Sequence, residues 1–405
     1  MKFRKLIFWM HLVIGVAASL VILTMAGAGL LLSFRPQIIA AADRSIAGPG
    51  LAGIDPTVPR AGLEAIGQAV RAAFPEERIT TITLRRDARE PVLVNLGRER
   101  TVLVHPLTAA MLGEGTRWRG FMNQVEQVHR MLALGPDGKA ITGAASIALF
   151  VLVLSGLVLW WPRQWSRRAL AAQTIPSLRL RGKARHFNWH NAFGFWAALP
   201  LLLSILTGVV MAYPWANNLL FRLSGNEPPV PRAAPAERSP GTRKGAGVAP
   251  AFRTEGLDKM WAAAVERTPA WQSAMLRFGD GPAAPVAMML DAGNGARPDL
   301  RAQITFDART GELQKWTPFA SNNLGQQLRQ WVKPLHTGEA LGLPGQMFAA
   351  FTALAALILV WTGLGLALRR FRQRRSGTPV PTPDSASLRS FASSAETPTN
   401  SSSRL

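Results

Sequence analysis

Residues 6–34 read LIFWMHLVIGVAASLVILTMAGAGLLLSF and contain no charged side chain. A helix needs about 20 predominantly apolar residues to cross a hydrocarbon core about 30 Å thick, and this run exceeds that length. The preceding MKFRK is basic, as in a signal peptide, but the apolar run is too long for one and no Ala-x-Ala site closes it cleanly. We therefore interpret residues 1–35 as a retained transmembrane helix.

Three further apolar stretches meet the same length requirement, at residues 140–161, 190–213 and 345–370. The four stretches together predict an α-helical membrane protein with a four-helix transmembrane bundle. The composition agrees, because 48% of the residues are hydrophobic and only 17% are charged, against about 25% charged in soluble domains. The chain has no cysteine, which excludes disulfides, iron–sulfur clusters and covalently attached c-type haem.

The basic residues are concentrated in short segments beside these helices. The chain has 46 Lys and Arg against 24 Asp and Glu, and residues 1–5, 162–189 and 369–375 contain no acidic residue. The positive-inside rule places these segments and both termini in the cytoplasm, including a basic loop at 162–189. The charge therefore indicates the topology of a multi-pass protein in the lipid bilayer of a bacterial inner membrane, and not nucleic-acid binding.

The two long segments, residues 36–139 and 214–344, are nearly balanced in charge and resemble each other. Each has a helix-like run (LEAIGQAVRAAF, LDKMWAAAVERT) followed by three strand-like runs, and each ends in an amphipathic interfacial helix. We expect two periplasmic α+β domains related by internal duplication. A Pro- and Gly-rich linker is expected at 226–250, and residues 371–405 are expected to be a disordered cytoplasmic tail.

The repeat continues into the membrane helices. A His-x-x-x-Gly spacing occurs in the first and third helices, and a histidine precedes a glycine by 27 residues before both the second and the fourth. Each half is therefore expected to consist of a helix, an outer domain and a second helix. The matched positions are His11 and His190, Gly15 and Gly194, Ala26-Gly27 and Thr207-Gly208, His129 and His336, and Gly156 and Gly363.

Four of the six histidines thus occupy repeat-related positions. His11 and His190 fall near the cytoplasmic face, and His129 and His336 near the outer face. Two imidazoles in a helical bundle can hold haem iron without cysteine, and a glycine one turn after a ligand leaves room for a porphyrin. We therefore expect two non-covalent haem b groups, with Gly15 and Gly194 providing that room.

Two other uses of these histidines stay open. A single membrane histidine is ordinarily a hydrogen-bonded interfacial residue, although four at matched positions are costly enough to suggest function. The other possible use is a metal-ion pathway. His186 and His190 are four residues apart and could share one ion, but no Asp or Glu accompanies them within the membrane.

Several other polar residues flank the pairs. His186 is expected in the cytoplasmic loop or against a haem propionate, and His105 is expected to be structural, in a turn of the first outer domain. The flanking cations either meet haem propionates or anchor the helices at the interface. These cations are Arg130, Arg163, Arg185 and Lys333.

Several motifs taken together resemble a known family: MHLVIGV, VHRMLALGPDGKAITG, SGLVLWWPRQW, FNWHNAFGFW, LHTGEALGLPGQ and WTGLGLALRR. Over residues 5–372 the chain resembles the PepSY-associated transmembrane proteins, found in bacterial inner membranes near iron-siderophore uptake genes. Some members are similar to ferri-siderophore reductases that hold two b-type haems in a four-helix bundle. The resemblance implies PepSY-like outer domains and makes the four matched histidines candidate axial ligands. The chain departs from the family in one turn. Where the family usually has Asp-Pro-x-Thr-Gly, this chain has His-Pro-Leu-Thr-Ala, from His105 to Ala109.

The leading hypothesis is a haem-b electron-transfer protein, an oxidoreductase that reduces a ferric siderophore at the periplasmic side. Reduction of Fe(III) to Fe(II) weakens its binding to hard oxygen ligands. No dinucleotide-binding motif is evident, so electrons are expected from quinol or from a separate cytoplasmic reductase. The alternatives are a non-catalytic, membrane-anchored PepSY regulatory or binding protein, which leaves the paired histidines unexplained, and a metal transporter.

Overall fold

The computed structural model describes residues 2–55, 57–97, 100–162, 165–229, 254–279, 281 and 284–375. Most of the expected linker, the expected tail beyond residue 375 and Arg163 lie outside the described residues.

The described chain is mainly helical, with one antiparallel sheet. The helices are α1 (Lys2–Leu32), α2 (Arg35–Ala47), α3 (Leu63–Ala73), α4 (Arg117–Met131), α5 (Gly135–Trp160), α6 (Arg167–Thr174), α7 (Gly182–Ala212), α8 (Pro214–Leu223), α9 (Leu257–Arg267), α10 (Leu324–Thr337) and α11 (Gly342–Arg375). The strands are β1 (Ile79–Arg85), β2 (Val92–Leu96), β3 (Arg100–Val104), β4 (Met111–Glu114), β5 (Ser273–Phe278), β6 (Val286–Asp291), β7 (Arg301–Phe306) and β8 (Leu313–Pro318).

Four of the described helices, α1, α5, α7 and α11, are long and apolar enough to cross a membrane. Helix α1 packs against α5 and α11, and α7 packs against the same two helices. Helices α1 and α7 therefore occupy opposite corners of a four-helix bundle, and so do α5 and α11.

Three of these helices are longer than the apolar stretches that predicted them. Helix α5 begins at Gly135, α7 begins at Gly182, and α11 runs from Gly342 to Arg375. Loss of hydrophobicity marks the edge of the hydrocarbon core, but backbone hydrogen bonding continues through polar residues until a residue stops the helix. The expectation that His186 lies in a loop is therefore wrong, because this residue is in the second turn of α7.

The strands of the two outer segments form a single eight-stranded sheet in the order β4-β3-β2-β1-β5-β6-β7-β8. The two segments meet where β1 pairs antiparallel with β5, for example Thr83 with Met275. Each segment contributes four strands in place of the three expected. The outer part of the protein is thus one continuous sheet, a feature that the repeat in the sequence did not predict.

One hydrophobic core serves both outer segments. Helices α3 and α9 pack with the fully buried Ile82 of β1 and Leu276 of β5. The two helices also cap each other: the Asp258 carboxylate accepts a hydrogen bond from the Leu63 amide, and Glu64 Oε1 accepts one from the Gly256 amide at 2.6 Å. A side-chain oxygen at a helix N-terminus satisfies an amide that has no partner within its helix, so these caps join the two segments.

Helices α4 and α10 connect the sheet to the bundle. Helix α4 packs against α1 and α5, and α10 packs against α7. Each carries a histidine in its last turn, His129 in α4 and His336 in α10. Both histidines therefore reach the end of the bundle that lies nearest the sheet.

Candidate cofactor sites

His11 of α1 and His190 of α7 face each other across the bundle at the end away from the sheet, and we call them the basic-end pair. Their ring centroids are 6.3 Å apart, with an angle of 87° between the planes. Nδ1 of His11 lies 2.8 Å from Ser155 Oγ, and Nδ1 of His190 lies 3.0 Å from Thr362 Oγ1. Each hydroxyl donates its own hydrogen to a backbone carbonyl of its helix at 2.7 Å, so it accepts from the imidazole.

His129 and His336 form the sheet-end pair. Their ring centroids are 6.2 Å apart, with an angle of 63° between the planes. Nδ1 of His129 lies 2.9 Å from the Met25 carbonyl oxygen, and Nδ1 of His336 lies 3.0 Å from the Ser204 carbonyl oxygen. A carbonyl oxygen can only accept, so Nδ1 of each ring carries the hydrogen.

These hydrogen bonds place all four imidazoles in the same tautomer. With hydrogen on Nδ1, each neutral ring presents a free lone pair at Nε2, and no hydrogen bond within the described part of the chain reaches any of the four Nε2 atoms. Such an N–H contact from the non-ligating nitrogen fixes ring orientation and raises ligand basicity at metal sites. The four rings therefore share one tautomer and one mode of attachment, each with Nε2 free of hydrogen bonds.

The spacing of the rings suits one metal atom between each pair. A metal–imidazole bond is about 2 Å long. Two such bonds, together with the distance from each ligating nitrogen to the centre of its ring, give about 6 Å between the two ring centres. The observed separations of 6.3 and 6.2 Å agree with that sum. Within the described residues there is no group of three or more His, Cys, Asp or Glu that could hold a metal ion. Each pair offers two ligands, the number that a porphyrin leaves open on its iron.

Burial keeps the sheet-end imidazoles uncharged. Burial lowers the pKa of His336 to about 4, with a smaller contribution from the repulsion that a protonated His129 would exert, and burial also lowers the pKa of His129. Imidazole binds a metal in its neutral form. This pair is therefore ready to bind at neutral pH without losing a proton first.

Each of the four histidine rings packs against a glycine of a neighbouring helix. A Cβ built on that glycine would lie only 3.2–3.4 Å from Cε1 of the histidine, closer than an ordinary contact. A larger residue there would move the ring, so the glycines keep the imidazoles in place. The contacts are His11 with Gly156, His190 with Gly363, His129 with Gly29, and His336 with Gly208.

The prediction that Gly27 corresponds to Gly208 is wrong by two residues, because the corresponding glycine is Gly29. A Cβ on Gly27 meets nothing within 4 Å, whereas Gly29 contacts His129 as Gly208 contacts His336. The correct match could have been found in the sequence. His190 follows His11 by 179 positions, and Gly208 follows Gly29 by the same number. The short Ala-Gly-Ala-Gly run at residues 26–29 concealed the correct register.

Gly15 and Gly194 have a looser environment than these four glycines. A Cβ on Gly15 would lie 3.6 Å from Leu152, and one on Gly194 would lie 3.7 Å from Leu359, both ordinary van der Waals distances. They thus permit close packing of α1 on α5 and of α7 on α11. Their role in making room for a porphyrin stays a prediction.

The two pairs lie near opposite ends of the bundle. His11 and Gly29, which contacts His129, are 18 residues apart on α1, and a rise of 1.5 Å per residue gives about 27 Å along the axis. A hydrocarbon core is about 30 Å thick. One histidine pair therefore falls near each face of the membrane that this bundle can span.

Among the flanking cations, Arg130 has an ion-pair partner in the described part of the chain. Arg130 pairs with Glu126 at 3.2 Å, and Arg35 also pairs with this carboxylate. Burial raises the pKa of Glu126, but the charges of Arg35, Arg130 and Lys333 together bring it below its ordinary value. The sheet-end pair therefore lies beside a cationic cluster that contains one ionised carboxylate.

At the other end, the Arg185 guanidinium lies over the rings of Trp189 and Trp361, at 5.9 and 5.8 Å. The His186 ring packs on Trp361, with 4.8 Å between centroids. His186 therefore does not face His11. In the outer part, His105 Nδ1 accepts hydrogen bonds from the Leu107 and Thr108 amides in the turn before β4.

The family model of the PepSY-associated TM region matches residues 8–370. The chain therefore belongs to this family, and the match covers the four membrane helices together with the sheet between them. No curated protein matches the chain significantly.

Proposed function

We propose that this chain binds two haem b groups, one between the rings of each histidine pair, and transfers electrons across a bacterial inner membrane to a ferric siderophore. The observation that carries the proposal is the common state of the four imidazoles. Each is held through Nδ1 and leaves Nε2 free of hydrogen bonds, and the two rings of each pair lie at a spacing suited to one metal atom.

The protein's own residues would hold and orient the groups. Ser155 and Thr362 fix the basic-end rings, the carbonyl groups of Met25 and Ser204 fix the sheet-end rings, and the facing glycines leave space for them. Haem iron with two axial imidazoles supplies a one-electron redox couple whose potential depends on ligand basicity and burial.

Internal duplication accounts for the two equivalent sites. The first and third membrane helices match at an interval of 179 residues, and His129 matches His336, as Gly156 matches Gly363, at 207. The two outer segments, each a helix and four strands, would be PepSY-like units that pair along β1 and β5. Duplicated membrane proteins commonly place their sites between the halves.

The direction of transfer is inferred from charge and from the position of the sheet. The basic segments favour the cytoplasm for the bundle end that carries His11, so the sheet and the sheet-end pair would lie in the periplasm. A ferric siderophore would meet this side, and quinol or a separate cytoplasmic reductase would supply electrons at the other. The family resemblance supports the choice of siderophore as substrate.

The visible spectrum of the purified full chain tests the proposal. We expect the sharp absorption bands of bis-imidazole haem b after reduction, and two haems per chain by the pyridine haemochrome assay. Reduction of an added ferric siderophore should reoxidise the haem. A chain that folds in the membrane without haem when haem is supplied would contradict the proposal and favour the regulatory alternative.

A further inference from the structure

Two arginines and a histidine at the bundle end away from the sheet have no acidic partner in the described part of the chain. We call Arg185, His186 and Arg369 the basic cluster. The buried Nε of Arg185 and the buried Nδ1 of His186 have no hydrogen-bond partner in the described part of the chain. Buried polar atoms are paired in the great majority of cases, so two unpaired atoms on adjacent residues call for a ligand or for water.

The cluster is held in a defined arrangement. Stacking on Trp189 and Trp361 fixes the Arg185 guanidinium. Arg369 comes close to the start of α7, because a Cβ on Gly182 would lie 3.6 Å from its Nη1. The cluster therefore concentrates positive charge around the first turns of α7.

No acidic side chain of the neighbouring segments balances this charge. Residues 162–189, α1 and α11 contain no Asp or Glu, and α7 has no side-chain cap at its N-terminus. The helix dipole adds further positive potential at the same place. The described part of the chain therefore supplies no counter-charge for this cluster, and a bound anion would provide one.

The depth of the cluster points to the lipid headgroup layer. Helix α7 has 31 residues, about 46 Å at 1.5 Å per residue, and a bilayer with its headgroups is about 40–45 Å thick. If α7 spans the bilayer, its first turns extend beyond the hydrocarbon core into the headgroups. Arg185 and His186 lie within these turns.

The adjoining loop has the composition of an interfacial segment. It is fastened to α7, where Asn188 bonds the Ser177 amide and the Ala172 carbonyl group, each at 2.8 Å. It exposes Leu178 by 82% and Ile175 by 62%, next to the arginines of α6 and its flanks. Exposed apolar side chains beside cations are typical of segments that lie on anionic membranes.

We propose that the basic cluster binds the phosphodiester group of an anionic phospholipid from the leaflet at this end of the bundle. Arg185 would donate hydrogen bonds to the phosphate oxygens, and Arg369 would add charge. Nδ1 of His186 lies against Gly365 of α11, so a further donor from this ring would be Nε2. The loop would lie on the surrounding headgroups. This site is distinct from the histidine pairs and does not depend on the haem proposal.

The test measures lipid retention by the full chain. Protein in detergent is titrated with phosphatidylglycerol, phosphatidylcholine or inorganic phosphate, and bound molecules are counted by native mass spectrometry. We expect retention of phosphatidylglycerol and not of phosphatidylcholine. Arg185→Gln should weaken retention at least about tenfold, as expected for loss of a hydrogen bond to a charged group, and Arg369→Gln should weaken it as well. Arg179→Gln removes an equal charge from the exposed loop and should change retention less than about twofold.

Three results would overturn the proposal. Equal losses in the Arg185 and Arg179 variants would show diffuse attraction without a site. Displacement of the lipid by inorganic phosphate at equal concentration would assign the cluster to free phosphate. Loss of haem with lipid retained would assign it to haem propionates. If Arg185→Gln does not fold, His186→Gln and Arg369→Gln provide the same comparison.

Discussion

The turn between β3 and β4 and the turn between β7 and β8 have the same hydrogen bonds but different acceptors. In the second turn, Asp307 Oδ1 accepts from the Arg309 and Thr310 amides at 2.7 and 3.1 Å, and these bonds lower the pKa of its carboxyl group. In the first, His105 Nδ1 takes the place of the carboxylate. The residue two positions before β4 and the residue two positions before β8 both have positive φ, 59° at Ala109 and 71° at Gly311.

Matched positions of the two halves of the sequence carry more similar residues in the bundle than in the turns of the sheet. The four histidines and the four glycines that contact them match between the halves, and the hydroxyl beside each basic-end imidazole comes from Ser155 in one half and Thr362 in the other. Thr207, which also contacts His336, has Ala28 at its matched position. A turn of this kind can use any side-chain hydrogen-bond acceptor that reaches the two amides, so an imidazole and a carboxylate can both stabilise it. A metal site needs one particular ligand atom.

The largest effect is expected from the paired histidines. Because each ring supplies one of two axial ligands, His129→Ala and His336→Ala should each remove the sheet-end haem and reduce the haem content from two per chain to one. His11→Ala and His190→Ala should do the same at the other site. The pyridine haemochrome assay measures this ratio. His186→Ala is the control and should keep both haems; haem loss in this variant with retention in His190→Ala would move the ligand one turn along α7.

A glycine pair gives the next largest effect. Gly29→Val should displace His129 and lower occupancy of the sheet-end site, because a Cβ at this position already lies 3.3 Å from Cε1. Gly27→Val is the control, because it makes the same substitution in the same helix. A Cβ at this position meets nothing within 4 Å, so the haem content should not change. Gly208→Val should reproduce the Gly29 result in the second half. Equal losses from Gly27→Val and Gly29→Val would show that helix packing, and not the histidine contact, is disturbed.

The smallest effect is expected from exchanging the turn acceptors. His105→Asp replaces a neutral acceptor by a charged one, and charge-assisted hydrogen bonds are stronger. The midpoint of thermal unfolding at neutral pH should rise by about 1–3 °C, and Asp307→His should lower it. Circular dichroism of the full chain in detergent follows both transitions. A lower midpoint in His105→Asp would mean that the two turns are not interchangeable.

The membrane spans could be predicted because length and hydropathy are local properties of the sequence. The grouping of the histidines also followed from local spacing around His11 and His190. The single sheet could not be predicted, since the pairing of β1 with β5 joins strands that are far apart in the chain and leaves no local mark. The reciprocal caps at Glu64 and Asp258 depend on that pairing and were missed for the same reason.

The central claim is that two haems in series, one at each histidine pair, carry electrons across the membrane. Its most direct test uses sealed vesicles with the chain in one orientation and dithionite added on one side only. Dithionite on the sheet side should reduce the sheet-end haem in both the wild type and His11→Ala. Dithionite on the basic side should reduce that haem in the wild type, but not in His11→Ala, which lacks the intermediate carrier. Reduction from the basic side at the wild-type rate in His11→Ala would contradict the two-haem path.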